Sequence, residues 1–148
     1  MRLRDEVQRL RAEHAALASL SGLLLDLVRA AAPPRPTELL ALRGLLRDTL
    51  TRHLKCEDWV LYPGLKASGD AALGDLATAF VDEMGHIASD FAAYDAKWTV
   101  AAVEADWTGF CADTEAVLHV LGVRIARENG ELYPAAEALS DRMERAAS

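Results

Sequence analysis

Two segments lying 71 residues apart carry one signature: residues 53–63 read HLKCEDWVLYP and residues 124–134 read RIARENGELYP, with Glu, Leu, Tyr and Pro at the same offsets. His14 and His86 stand 72 residues apart, so the correspondence extends to the helical stretch preceding each copy. A chain built this way is expected to form two similar helical hairpins about an approximate two-fold axis, with polar residues of both halves converging on it. One position breaks the match, because the first copy has His53 where the second has Arg124.

The hydrophobic periodicity agrees. Leu3, Val7, Leu10, His14, Leu17, Ser21, Leu24 and Val28 fall on one stripe of a helix predicted over Leu3–Ala31. The prolines of AAPPRPT end it, and Thr37 is placed to cap a second helix running to about Trp59, with Leu39, Leu42, Leu46, Leu50, His53, Glu57 and Leu61 inward. A third helix is predicted over Ala71–Trp98, carrying Leu73, Leu76, Phe80, Ile87, Phe91 and Tyr94. After a break near Thr99, a fourth runs to about Asn129, where Gly130 and Pro134 are stop signals, and a short tail helix spans about Ala135–Ala146. The expected fold is all-α, an antiparallel up-down four-helix bundle with a short C-terminal helix, residues 1–148 forming a single domain.

With a formal charge of −7 and no run of basic residues, the chain has nothing to attract nucleic acid or an anionic membrane. No stretch approaches the ~20 apolar residues of a membrane span and the charged N-terminus lacks a signal-peptide core, so a cytoplasmic location is expected. Cys56 and Cys111, without a CxxC pattern, read as reduced thiols. Tyr62 and Tyr133 read as packing residues, and Trp59, Trp98 and Trp107 as core or helix-end packing.

The chemistry lies in the polar residues that interrupt the apolar stripes. His53 and Glu57, four residues apart, project side by side from one helical face. An imidazole in the leucine-lined stripe of His14 needs a hydrogen-bond partner or a metal, and carboxylates at Glu57 and Glu128 need a counter-charge. Imidazoles and carboxylates gathered from several helices form a mixed N/O site suited to iron, one ion or two, with manganese or zinc possible. His119 lies nine residues before Glu128, about half a turn off the inward face, and is expected at the surface.

EHAAL around His14, HLKCEDWVLYP, EMGHIASDF around His86 and RIARENGELYP, in this order, make the chain resemble the hemerythrin-like (HHE cation-binding) domain family over nearly its whole length. The resemblance implies two non-haem irons held by His14, His53, Glu57, His86 and Glu128, with Glu57 and Glu128 as bridges. Two departures follow. The fourth helix offers Arg124, which cannot donate a lone pair and is read as standing beside the ligands, orienting Glu128 or meeting an anionic oxygen ligand. The third helix carries Asp82 where some family members place a histidine, so Asp82, Glu83 or Asp90 is a candidate to refill the site. The first hairpin should therefore hold metal better than the second. The expected function is an asymmetric iron centre, di-iron or reduced to one ion, that binds or senses O2 or a related small oxidant. A redox enzyme of peroxidase or oxidase type, an iron donor for iron-sulfur repair, and a metal-free helical interaction domain are the alternatives, so enzymatic activity and any protein partner stay open.

Overall fold

The computed structural model describes residues 2–148, and among them there is no strand. The helices are α1 (Leu3–Val28), α2 (Pro36–Cys56), α3 (Tyr62–Lys66), α4 (Ala71–Met84), α5 (Ile87–Lys97), α6 (Val100–Ala105), α7 (Trp107–Arg127) and α8 (Tyr133–Ala147). α1 packs against α2, α7 and α8, and α5 packs against α2 and α7. The predicted stripe of α1 faces inward: Val7, Leu10, His14, Leu17, Leu24 and Val28 are all buried. On α2 the buried apolar residues are Leu39, Leu46, Leu50 and Leu54. The burial of these leucines, at ~1.5–3 kcal/mol each, is what can offset the placement of charge among them.

Helix ends follow local chemistry. Asp70, Thr99 and Asp106 accept backbone N–H bonds from Leu73, Ala102 and Gly109 and so cap α4, α6 and α7. Thr37 does not cap α2, which begins one residue earlier at Pro36, a residue whose fixed φ suits the first turn.

The LYP segments do not end their helices. A π-helical turn, Glu57–Leu61, joins α2 to α3, and a second, Glu128–Leu132, joins α7 to α8. In each, the tyrosine N–H bonds five residues back, Tyr62 to the Glu57 carbonyl and Tyr133 to the Glu128 carbonyl. That shift places Pro63 and Pro134 in the first turn of the resumed helix, where a missing N–H costs little, so both prolines are accommodated.

The third predicted helix is two. α4 stops at Met84 and α5 starts at Ile87, with Gly85 and His86 between them. A Cβ at position 85 would lie 2.6 Å from the Val81 carbonyl oxygen, so the tight passage there needs glycine. Trp98 is buried and Trp107 half-buried, whereas Trp59 is exposed, with Lys55 over its ring at 5.4 Å. No described helix is long and apolar enough to cross a membrane.

Candidate metal centre

The polar residues that interrupt the apolar stripes meet in one place. His14 from α1, His53 from the end of α2, and Glu57 and Glu128, each the first residue of a π-helical turn, are at most 2% exposed. One ligand atom from each lies within 4.8 Å of the other three. A π-helical turn places an extra residue in the helix, and both turns begin at the carboxylate, so both glutamates are set by the same device.

Each imidazole is oriented through its outer nitrogen. His53 Nδ1 is 2.8 Å from Glu13 Oε1, and His14 Nδ1 is 2.7 Å from Asn129 Oδ1. With those outer nitrogens engaged, Nε2 of each ring faces the carboxylates, the orientation that carboxylate and amide partners impose on metal-bound histidines, and Nε2 of His14 also lies 3.1 Å from the Tyr133 hydroxyl. His14 Nε2 is 3.1 Å from Glu128 Oε1, and His53 Nε2 is 2.9 Å from Glu57 Oε1. The second pair is close but misaligned for a hydrogen bond, so His53 Nε2 is a buried nitrogen without a partner.

The carboxylates are held across the two halves. Tyr62, at the far end of the π-helical turn that Glu57 opens, donates to Glu128 Oε2, and Tyr133, in the same relation to Glu128, donates to Glu57 Oε2 at 2.6 Å. Arg124 spans both: Nε donates to Glu128 Oε2 at 3.2 Å and Nη2 to Glu57 Oε1 at 3.3 Å. The same guanidinium reaches Asp58 Oδ1 at 2.9 Å and the Met84 carbonyl at 3.3 Å. Tyr62 and Tyr133 therefore do more than pack, and Asp58, Glu13 and Asn129 join the site although their roles are not visible in the spacing of the ligands.

These contacts divide the two acids. Burial and the negative charge of Glu128 lift Glu57 above the usual carboxylate range. Glu128 is equally buried, but hydrogen bonds from His14 and Glu57, the charge of Arg124 and the Tyr62 hydroxyl outweigh burial and hold it below that range. Burial disfavours a charged His53, yet Glu57 and Glu13 more than offset it and raise its pKa. Burial likewise opposes the charge on Arg124, and Glu128, Glu57, Tyr62 and Asp58 together raise its pKa well above that of a free guanidinium.

The third helical segment takes no part in the cluster. His86 is exposed and 3.6 Å from Asp90, itself exposed, because the Gly85 break turns residue 86 outward. Asp82 and Glu83 are exposed too, Glu83 bonded to Arg127, and the inward position of that turn belongs to Met84. The expectation that His86 and one of Asp82, Glu83 or Asp90 face the centre is thus corrected by their placement. His119 is exposed, as its helical angle predicts.

The donors fit a metal ion. Two imidazoles and two carboxylates, all buried and with one ligand atom of each within 4.8 Å of the others, form the mixed N/O donor set that first-row divalent ions take. Nε2 of His53, 2.9 Å from Glu57 Oε1, forms no aligned hydrogen bond in the fold. A family model described as the hemerythrin HHE cation binding domain matches residues 5–136. No curated protein and no solved structure matches the chain.

Proposed function

Because the chain belongs to the hemerythrin HHE cation-binding family, we propose that it holds non-haem iron between His14, His53, Glu57 and Glu128 and binds or senses O2 or a related small oxidant. The reading includes an antiparallel four-helix arrangement of the whole chain as one domain. Manganese or zinc suits the same donors, and the choice of iron rests on the family. The observation that carries it is the convergence of four buried ligand atoms, one of them an imidazole nitrogen otherwise unpartnered.

Bound iron would supply electrons and an open coordination position to a small oxidant. The protein's own groups prepare the place for it. Glu13 and Asn129 fix the two imidazole planes, so the Nε2 atoms do not need to reorient. Tyr62 and Tyr133 bind one oxygen of each carboxylate and leave the other turned toward the imidazoles. Leu10, Leu17, Leu50, Leu61, Leu121 and Leu132, within about two helical turns of these groups, are buried and keep bulk water away. A groove of about 370 Å³ between α2 and α5 reaches Asp58, whose carboxylate touches Arg124.

The test is anaerobic loading with Fe(II), removal of free metal, and measurement of iron per chain with absorption spectra before and after air or azide. Retained iron and new near-ultraviolet bands on oxidation are expected. Iron lost on desalting, with spectra unaffected by air, would overturn the reading. One observation favours a second: Arg124 already neutralises part of the buried acid, as in a metal-free helical interaction domain. On that reading the protein retains no metal, and chelation leaves its thermal unfolding unchanged.

A further inference from the structure

We infer that the Arg124 guanidinium stands in the place of a second cation, so that the centre takes one metal ion per chain; this rests on the metal-binding reading above. Four observations carry it. Arg124 occupies the position that the repeat assigns to the counterpart of His53. Its Nε and Nη2 reach one oxygen of each glutamate, the bridging role that an ion shared by both carboxylates would fill. The third helical segment, which would have to supply imidazole to a second ion, points His86 to solvent and offers only the Met84 carbonyl, which Arg124 already occupies. That carbonyl belongs to the last residue of α4, where helix-end carbonyls lack the intrahelical donor of an interior turn.

The charges agree with one ion. Glu57, Glu128 and Asp58 contribute three negative charges around Arg124, and the guanidinium cancels one. The two that remain equal the charge of a single divalent ion, because the Glu13 carboxylate behind His53 is already paired with Arg9 at 2.9 Å. A second ion would meet a guanidinium that cannot lose its proton, with both of its bridging oxygens committed. Arginine is also suited to the task in a way lysine is not. Its planar fork presents separate N–H groups to Glu57, Asp58, Glu128 and Met84 at once.

The test is anaerobic Fe(II) titration of the whole chain, with metal per chain measured after desalting, for the wild type, Arg124→His, Arg124→Lys and His53→Ala. The wild type should bind one ion, Arg124→Lys one, and Arg124→His between one and two, since it restores a donor and removes the positive charge. Two ions in the wild type would overturn the inference while leaving the metal-binding reading intact, and so would a folded Arg124→His protein that still binds one. If Arg124→His does not fold, Arg124→Lys decides: one ion supports the inference and two overturn it. No metal in the wild type, indistinguishable from His53→Ala, would instead remove the reading on which the inference stands.

Discussion

The first hairpin, α1 with α2, and the later segments α4 to α7 begin from the same pattern and end with different contents. In both, a π-helical turn opens on a buried glutamate and a tyrosine reaches across to the other half's carboxylate. In the first, two imidazoles face those carboxylates, each fixed from behind. In the second, the imidazole of His86 lies in solvent and a guanidinium stands where its partner would be. The same backbone device therefore carries imidazole at one position of the repeat and guanidinium at its counterpart. What differs is the group that faces the buried carboxylates: a permanent guanidinium from the second half, and two imidazoles that could share a metal ion from the first. A frame of this kind can stay folded without metal, because Arg124 already meets part of the charge, while keeping a set of donors beside it.

The contrast can be broken most severely at His53. His53→Ala removes the unpartnered nitrogen, and retained metal is expected to fall more than ~10-fold, as read by elemental analysis after dialysis against a weak chelator. A content unchanged by this substitution would place the ion elsewhere. Next comes Arg124→Met, which strips Glu57, Glu128 and Asp58 of their common cation and should cost the chelated protein ~3–5 kcal/mol in urea unfolding. A loss below ~1 kcal/mol would mean that the acids are neutralised by protonation rather than by Arg124.

The tyrosines probe the asymmetry more finely. Glu57 Oε2 has Tyr133 as its hydrogen-bond donor, whereas Glu128 Oε2 has both Tyr62 and Arg124. Tyr133→Phe should therefore destabilise the chelated protein by ~1–3 kcal/mol and Tyr62→Phe by less, and the reverse order would show the halves to be differently weighted than the contacts indicate. The smallest effect is expected at His86. His86→Ala should change stability by no more than ~0.5 kcal/mol and leave metal content as it was, whereas a loss of metal would mean that residue 86 turns inward on binding.

The meeting of His14, His53, Glu57 and Glu128 was legible because each sits on an apolar stripe at helical spacing, and the repeat relates the two glutamates. The outward turn of His86 was not, since its stripe is continuous from Leu73 to Tyr94. Only Gly85, at a position where a side chain would meet the Val81 carbonyl, marks the interruption. The LYP segments misled in a different way. Proline is a stop signal for a helix bonded four residues back, but a π-helical turn moves the bond to the tyrosine N–H and lets the helix resume at the proline. The recurrence of tyrosine in both copies was the available sign of a chemical role, since packing alone does not demand a hydroxyl. Glu13 and Asn129 left a weaker trace, each lying next to a ligand in sequence and on no shared stripe with it.

The central claim is one ion beside one guanidinium, and the position of the metal tests it most directly. In crystals of the iron-loaded protein, anomalous scattering at the iron edge should give one peak per chain, bounded by His14 Nε2, His53 Nε2, Glu57 and Glu128, with Arg124 still bonded to both carboxylates. Two peaks flanking the glutamates with Arg124 displaced, or a single peak coordinated by His86, would contradict it.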